Sequence, residues 1–187
     1  MTSGEGVEYF AKVTLGKFKK IDFLVTSAGI FKATSFTKLE PTEWDFMMAV
    51  NLRGPYLCCR AVVPAMIKQG KGNIVNIASV AGRSASAWGG AHYTASKHGV
   101  VGLSRNLARE LGPYGIRGNA FCPGGTITPM VLNATTQEAR EETTTRIPLR
   151  RWGMPEEQAR VIAFLLSDDS SYINGAAIDS NGGTLMV

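Results

Sequence analysis

Short apolar runs alternate with longer amphipathic segments along most of the chain, and this alternation is the strongest constraint on its fold. The short runs resemble buried strands because each is followed by small or turn-forming residues. They are IDFLV (21–25), NIVNIAS (73–79), GIRGNAFC (115–122) and AAID (176–179). The longer segments predict helices over about 6–19, 42–69, 92–111 and 155–167. A regular strand–helix–strand order predicts an α/β fold with a parallel sheet.

The length of the chain indicates a single domain. With 187 residues, of which 44% are apolar and 19% are charged, the chain can bury one sizeable hydrophobic core. Neither an internal repeat nor a low-complexity linker interrupts the pattern. We therefore predict one domain over 1–187.

Membrane and metal-binding classes are disfavoured by the sequence. No apolar stretch approaches the roughly 18 residues of a transmembrane helix, and residues 1–20 lack the apolar core of a signal peptide. The three cysteines, Cys58, Cys59 and Cys122, follow no metal-ligand spacing, so we expect free thiols. These features predict a cytoplasmic protein with neither a membrane segment nor a metal site.

The charge pattern argues against a nucleic-acid partner. The chain carries 20 Lys and Arg against 15 Asp and Glu, which gives a net charge of +5. Its basic residues are dispersed, apart from the short clusters KFKK and LRRW, and no aromatic residues are interleaved with them in a binding pattern. We expect these charges to form a solvated surface.

One polar, Thr-rich segment breaks the alternation, at 128–147. It is compatible with an ordinary surface helix and loop. It is equally compatible with a lid over a pocket, because long irregular excursions from a rigid scaffold often carry binding residues. The sequence favours neither interpretation.

Small and polar residues recur after the predicted strands. TSAG (26–29), SVAG (79–82) and PGGTIT (123–128) each follow a strand-like run. In a parallel α/β sheet the carboxyl ends of the strands lie at one edge, where ligands gather. The three loops therefore predict one shared pocket.

Tyr93 and Lys97 are four residues apart on a predicted helix, so both side chains can face that pocket. A free phenol has a pKa of about 10, and a neighbouring ammonium group favours the phenolate. We therefore expect Lys97 to lower the pKa of Tyr93, which would make Tyr93 a proton donor and acceptor for a carbonyl or alcohol oxygen. Ser79, at the end of the preceding strand, could donate a hydrogen bond to the same oxygen.

The stretch VNLRGPYL contains Asn51 and, four residues later, a proline. Pro55 has no N–H group to bond the carbonyl of Asn51 four residues earlier, so this carbonyl is free to hold a water molecule that could connect Lys97 to solvent. From spacing alone, a plain helix kink with an exposed Asn51 is the simpler interpretation.

Five motifs, TSAG, VNLRGPY, NIVNIASVAG, YTASK and NAFCPGGTITPM, occur in an order that closely resembles the short-chain dehydrogenase/reductase family. The resemblance covers about 6–183. It implies a Rossmann-like sheet and hydride transfer between NAD or NADP and a secondary alcohol or ketone. It also implies the catalytic roles: Tyr93 as general acid/base, Lys97 as the residue that lowers its pKa and binds the nicotinamide ribose, Ser79 as substrate-oxygen donor, and Asn51 as holder of the relay water.

The same resemblance implies a set of cofactor-binding residues. Two match the loop beside the adenosine half and four match the loop on the nicotinamide side. The set consists of Tyr93, Lys97, Ala28, Gly29, Pro123, Gly124, Thr126 and Thr128.

The chain also departs from the family pattern. Thr26 and Ser27 stand where the family usually has two Asn, which predicts weaker side-chain hydrogen bonds across the sheet. No G-x-x-x-G-x-G stretch follows a strand, although such a turn normally binds the cofactor pyrophosphate. We therefore expect an N-terminally truncated Rossmann-like fold, in which 21–25 has an unpaired apolar edge.

Three functional hypotheses follow. The first is an NAD(P)-dependent oxidoreductase acting on a small alcohol or carbonyl substrate as a homodimer or homotetramer. The second is a truncated, catalytically silent form that acts through oligomer or partner contacts. A serine hydrolase built on Ser79 is disfavoured, because IASVA is not the G-x-S-x-G elbow and neither His92 nor His98 has an evident acidic partner.

Overall fold

A four-stranded parallel sheet forms the centre of the computed structural model, which describes residues 3–187. Its strands lie side by side in chain order. They are β1 (Phe23–Thr26), β2 (Gly72–Ile77), β3 (Ile116–Pro123) and β4 (Ala177–Ser180). The predicted Rossmann-like parallel sheet is confirmed, and each strand lies within a few residues of its predicted position.

Seven α-helices accompany the sheet within the described residues. They are α1 (Gly4–Phe18), α2 (Pro41–Met48), α3 (Gly54–Gln69), α4 (Ala91–Leu111), α5 (Pro129–Ala134), α6 (Gln137–Arg146) and α7 (Pro155–Leu166). The single helix predicted over 42–69 is α2 and α3, joined by a π-helical turn at Ala49–Arg53. The turn precedes Pro55, which has no N–H group to continue the α-helical bonding.

The helices cover both faces of the sheet because neighbouring residues of each strand point to opposite sides. On one face, Ile74 of β2 packs with Met66 of α3 and residues of α1 and α4. On the other face, Val75 and Phe121 pack against Leu165 of α7. All five of these side chains are almost inaccessible to solvent. The resulting three-layer arrangement leaves the carboxyl ends of β2 and β3 open for a site.

A buried polar network links β1, β2 and α4. The hydroxyl group of Thr26 donates a hydrogen bond to Oδ1 of Asn76 (2.8 Å), and Nδ2 of Asn76 donates to Oγ of Ser104 (3.0 Å). Thr26 therefore keeps a side-chain hydrogen bond across the sheet, although it replaces the Asn that is usual in the family. All three residues are buried, so these bonds form out of contact with water.

The outer edge of β1 pairs with no other strand in the part of the chain that the structure describes. Phe23 and Val25 are exposed by 54% and 38%. Between this strand and α1 lies a mostly apolar groove of about 530 Å³. None of the candidate catalytic residues lines this groove.

Across residues 3–187, no helix has the length and hydropathy needed to cross a membrane. In the same part of the chain, no group of three or more His, Cys, Asp or Glu side chains could hold a metal ion. Cys58, Cys59 and Cys122 are buried free thiols.

Replacing Thr26 with Val tests the network across the sheet. The substitution keeps the shape of the side chain but leaves Oδ1 of Asn76 without its hydroxyl donor, so we expect the free energy of unfolding to fall by about 1–3 kcal/mol. Thr26→Ser retains the donor and should lose only the contribution of one methyl group, about 0.8 kcal/mol. Urea denaturation of both variants measures the difference, and equal stability of the Val variant and the native chain would contradict the expectation.

Candidate active site

The candidate catalytic side chains meet where β2 ends and α4 begins. Ser79 follows β2 by two residues, and Tyr93 and Lys97 lie in the first two turns of α4. Gly90 caps the start of this helix, and its N–H group donates to the carbonyl of Lys32 (3.0 Å). The structure thus brings together three residues that the sequence separates by up to 18 positions.

Lys97 connects the helix to the sheet. Its ammonium group is buried and donates a hydrogen bond to the carbonyl of Ile77, the last residue of β2 (3.0 Å). Burial lowers the pKa of Lys97 to about 8, because the charged form loses hydration. Nζ of Lys97 lies 5.8 Å from the centroid of the Tyr93 ring, so the positive charge stays beside the aromatic ring.

The protonation of Tyr93 differs from the sequence-based expectation. Burial raises the pKa of Tyr93 above its ordinary value, and a hydrogen bond with Ser79 opposes this effect only in part. The predicted lowering of this pKa by Lys97 is wrong for this structure, because desolvation of the phenolate dominates. Tyr93 is therefore a neutral phenol at neutral pH.

Asn51 is buried in the π-helical turn, so the interpretation as an exposed residue beside a helix kink is wrong. Its Oδ1 accepts a hydrogen bond from the N–H group of Ile30 (2.8 Å), and its Nδ2 donates to the carbonyl of Ile30 (2.9 Å). Nδ2 also lies within hydrogen-bond distance of Oγ of Ser96 (3.3 Å). The side chain of Asn51 thereby fastens the loop after β1 to α4.

The predicted cofactor-binding loops lie around these residues. A side chain at Gly29 would contact Oδ1 of Asn51 and Nζ of Lys97, with Cβ 3.4 Å and 3.7 Å from them. The loop that contains Ala28 and Gly29 is therefore adjacent to the buried ammonium group. Its glycine leaves room there that a larger residue would occupy.

On the other side of the site, Pro123 ends β3, and both it and Gly124 line the cavity. The two predicted threonines have internal partners. Oγ1 of Thr126 donates to the carbonyl of Gly124 (3.1 Å), and the side chain of Thr128 caps α5. These contacts give both threonines a structural role in holding the loop after β3.

A cavity of about 470 Å³ opens beside Ser79 and Tyr93. Its walls are mainly apolar and aromatic, and they include Phe31, Val80, Trp88, Met130, Val131, Ile147 and Trp152. The rings of Trp88 and Trp152 meet edge to face, with centroids 6.4 Å apart. Such walls suit an organic molecule with an apolar body.

The Thr-rich segment 128–147 forms α5 and α6 and supplies one wall of this cavity. Residues from both helices line the cavity, so the segment covers a pocket as the lid interpretation of the sequence requires. The indole N–H group of Trp152 donates to Oγ1 of Thr144 (3.0 Å) and so ties α6 to the loop before α7.

Three residues of the site were not found by sequence reasoning. Phe31 packs edge to face on Tyr93, with ring centroids 5.1 Å apart. Oγ of Ser96 donates to the carbonyl of Tyr93 (2.7 Å), and Trp152 lines the cavity. Two of them could have been found in the sequence: Ser96 lies three residues after Tyr93, and Trp152 is the lone Trp in a basic cluster. The contact of Phe31 with Tyr93 depends on folding and leaves no signal in the sequence.

Comparison with known proteins agrees with this geometry. A family model described as "Enoyl-(Acyl carrier protein) reductase" matches residues 1–184. The 3-oxoacyl-(acyl-carrier-protein) reductase FabG of Thermotoga maritima is 40% identical over 186 residues, which are 100% of this chain and 75% of that protein. The chain belongs to the short-chain dehydrogenase/reductase family.

Two further members of the family are similar over nearly the whole chain. A 3-oxoacyl-(acyl-carrier-protein) reductase of Synechocystis is 38% identical over 187 residues, which are 100% of this chain and 74% of that protein. The crystal structure of levodione reductase superposes with a TM-score of 0.94 and 40% identity, and the match covers 97% of this chain and 73% of that chain. The printed names of these relatives specify different substrates.

The residues present fit the nicotinamide-ribose half of the cofactor that the family implies. Among the described residues, Ile77 is the single hydrogen-bond acceptor of Lys97, which leaves two N–H donors of a buried ammonium group for ribose hydroxyl groups. Gly29 provides the open backbone beside them. Lys97 and Tyr93 would thus hold this half of the molecule.

The pKa of Lys97 leads to a test of stability. Below pH 8 the native state must bury a charged ammonium group. Between about pH 8 and 10.5 the unfolded chain binds more protons than the native one, so native stability rises with pH. We expect Lys97→Met to stabilise the fold at pH 7 by up to roughly 3 kcal/mol, less the lost bond to Ile77, and to lose most of this advantage as the pH rises from about 8 to 10.5.

Chemical denaturation of the two proteins at pH 7 and pH 10.5 measures the effect. Lys68→Met serves as the control, because Lys68 is an exposed lysine in α3 and its replacement should change stability equally at both pH values. A constant difference between the Lys97 variant and the native chain would contradict the expectation.

Proposed function

We propose that this site transfers hydride between NAD or NADP and a ketone or secondary alcohol, with Tyr93 as general acid/base. The observation that carries the proposal is that Ser79 and Tyr93 line one apolar cavity, with the buried ammonium group of Lys97 beside the Tyr93 ring. The family membership supports it, since the relatives named above are reductases.

The mechanism begins with the substrate oxygen. Ser79 and Tyr93 both line the cavity, so their hydroxyl groups can donate to one carbonyl oxygen placed between them. Oγ of Ser79 also accepts a hydrogen bond from the N–H group of Ala81 (3.1 Å), and its own hydroxyl hydrogen is still available as a donor. This pair polarises the carbonyl group.

The nicotinamide cofactor supplies the hydride when it is bound. Tyr93 donates its phenolic proton to the substrate oxygen as negative charge develops there. Lys97, which is protonated at neutral pH, favours the resulting phenolate electrostatically. Tyr93 is protonated at neutral pH, so in the free site it can serve as the proton donor for the reduction of a ketone.

Asn51 would complete the proton path. Its side chain is occupied by Ile30, so the main-chain carbonyl is the group proposed to hold a relay water molecule near Lys97. The adenosine half of the cofactor would lie beside Ala28 and Gly29. The nicotinamide side would lie beside Pro123, Gly124, Thr126 and Thr128.

A substrate with a compact apolar body suits the cavity best. Trp88, Trp152 and Met130 line the cavity with apolar surface, and a volume of about 470 Å³ accommodates a small or medium-sized molecule. We propose that the enzyme acts in the cytoplasm as a homodimer or homotetramer. The buried free thiols are consistent with a reducing compartment.

A second proposal is a truncated, catalytically silent form that acts through oligomer or partner contacts. It is favoured by the open edge of β1 and the apolar groove beside it. The chain spans about 75% of the length of its Thermotoga maritima relative.

Tyr93→Phe tests the first proposal. It removes the only exchangeable proton of the ring and retains its packing against Phe31, so turnover of a ketone with NADH or NADPH should fall by about 10²–10⁴-fold. Tyr114→Phe is the control, because Tyr114 is exposed and lies outside the cavity, and it should retain native turnover. Native turnover of the Tyr93 variant would overturn the assignment.

Titration of the chain with NADH and NADPH separates the two proposals. The oxidoreductase requires binding at micromolar to low millimolar concentration, detected by the change in nicotinamide fluorescence. A folded chain that binds neither cofactor at millimolar concentration would contradict the oxidoreductase and support the silent form. Circular dichroism of the same sample verifies the fold.

A further inference from the structure

Glu43, in the first turn of α2, contacts polar side chains of two other segments of the chain. Its Oε1 accepts a hydrogen bond from the hydroxyl group of Thr34 (2.5 Å), and its Oε2 accepts one from the ammonium group of Lys32. Nε2 of His92 lies 3.1 Å from Oε1, within ion-pair distance. The carboxylate therefore joins the loop 30–34 to the start of α4.

The electrostatic state of Glu43 fits this role. Hydrogen bonds from Lys32 and Thr34 lower the pKa of Glu43, so its carboxylate is ionised at neutral pH. The carboxylate is mostly shielded from solvent, with its side chain 19% exposed. A negative group in this position attracts both the Lys32 cation and the donor side of the His92 ring.

His92 is the buried member of this cluster. Its ring is completely inaccessible to solvent, and neither ring nitrogen has a hydrogen bond of good geometry among the described residues. Glu43 is the acidic group within reach of Nε2. The carboxylate therefore faces the buried ring of His92, the residue immediately before Tyr93 in the chain.

The backbone of the loop 30–34 also contacts the start of α4. The N–H group of Gly90 donates to the carbonyl of Lys32 (3.0 Å), and a Cβ atom at Gly90 would lie 2.5 Å from the carbonyl oxygen of Thr34. At the other end of the loop, Asn51 holds both main-chain polar groups of Ile30. The loop is fixed on both sides of Phe31.

Phe31 transmits this arrangement to the site. It lies between the residues that Asn51 and Glu43 hold, and its ring meets that of Tyr93 edge to face at 5.1 Å, with an interplanar angle of 77°. Both rings line the cavity. A change in the loop would therefore alter the packing and the desolvation of the Tyr93 phenol.

We propose that Glu43 is a positioning residue, which holds Phe31 and the first turn of α4 so that the Tyr93 ring stays packed and oriented for proton transfer. This inference rests on the proposed role of Tyr93. Glu43 acts through Lys32, Thr34 and His92 and does not touch the substrate.

Glu43→Gln tests the proposal, because it keeps the size of the side chain and removes its charge. We expect kcat to fall by about tenfold with a change in KM of less than threefold, since a small misplacement of a reacting group lowers the rate strongly. Glu40→Gln is the matched control. It removes the same charge three residues earlier, at an exposed position where the side chain makes no capping bond.

A second readout does not depend on turnover. The pKa of Tyr93 can be followed by ¹³C NMR of ring-labelled tyrosine, with the Tyr93 signal assigned by its loss in Tyr93→Phe. Looser packing admits water to the phenol, so Glu43→Gln should move this pKa downward toward the ordinary value, whereas Glu40→Gln should leave it unchanged. If the native chain shows no turnover, the proposed function fails, yet this titration still tests the positioning role.

Coupling with His92 completes the experiment. If Glu43 acts partly through His92, then His92→Gln and Glu43→Gln should each lower kcat, and the double variant should lose much less than the product of the two single effects. A Glu43→Gln protein that is as folded as the control by circular dichroism, with native kcat and a native Tyr93 pKa, would overturn the proposal.

Discussion

The buried ammonium group of Lys97 is the interaction on which the geometry of the site depends. Its bond to the carbonyl of Ile77 fixes the first turns of α4 to the end of β2. Removal of this charge from water costs free energy, which the single bond to Ile77 offsets only in part. Despite this cost in free energy, the fold keeps the buried ammonium group beside Tyr93.

Burial also raises the pKa of Tyr93. Lys97 does not lower the pKa of the phenol below its ordinary value in the free chain, because burial affects the phenolate more strongly. A protonated Tyr93 beside a protonated Lys97 is suited to donate a proton and then to stabilise the resulting anion. The two buried groups thus act as a pair whose protonation is set by the fold.

Most of the secondary structure could be predicted because it is encoded in local patterns. The apolar runs gave the four strands to within a few residues, and α1, α4 and α7 follow the amphipathic segments closely. The π-helical turn at Ala49–Arg53 was missed, since a proline at 55 indicates an irregularity without specifying its type. The position of the segment 128–147 beside the cavity could not be predicted, because it depends on contacts with Trp152, which lies outside the segment.

The sequence by itself determined the parallel α/β architecture, the family, and the candidate residues Ser79, Tyr93 and Lys97, because these depend on hydrophobic periodicity and on motifs of fixed spacing. Tertiary structure decided that Asn51 is buried and bonded to Ile30, that Tyr93 is held as a neutral phenol, and that Glu43 meets His92 across 49 positions. The physical reason is that desolvation and long-range hydrogen bonding depend on which segments exclude water from one another. Local spacing carries no information about that exclusion.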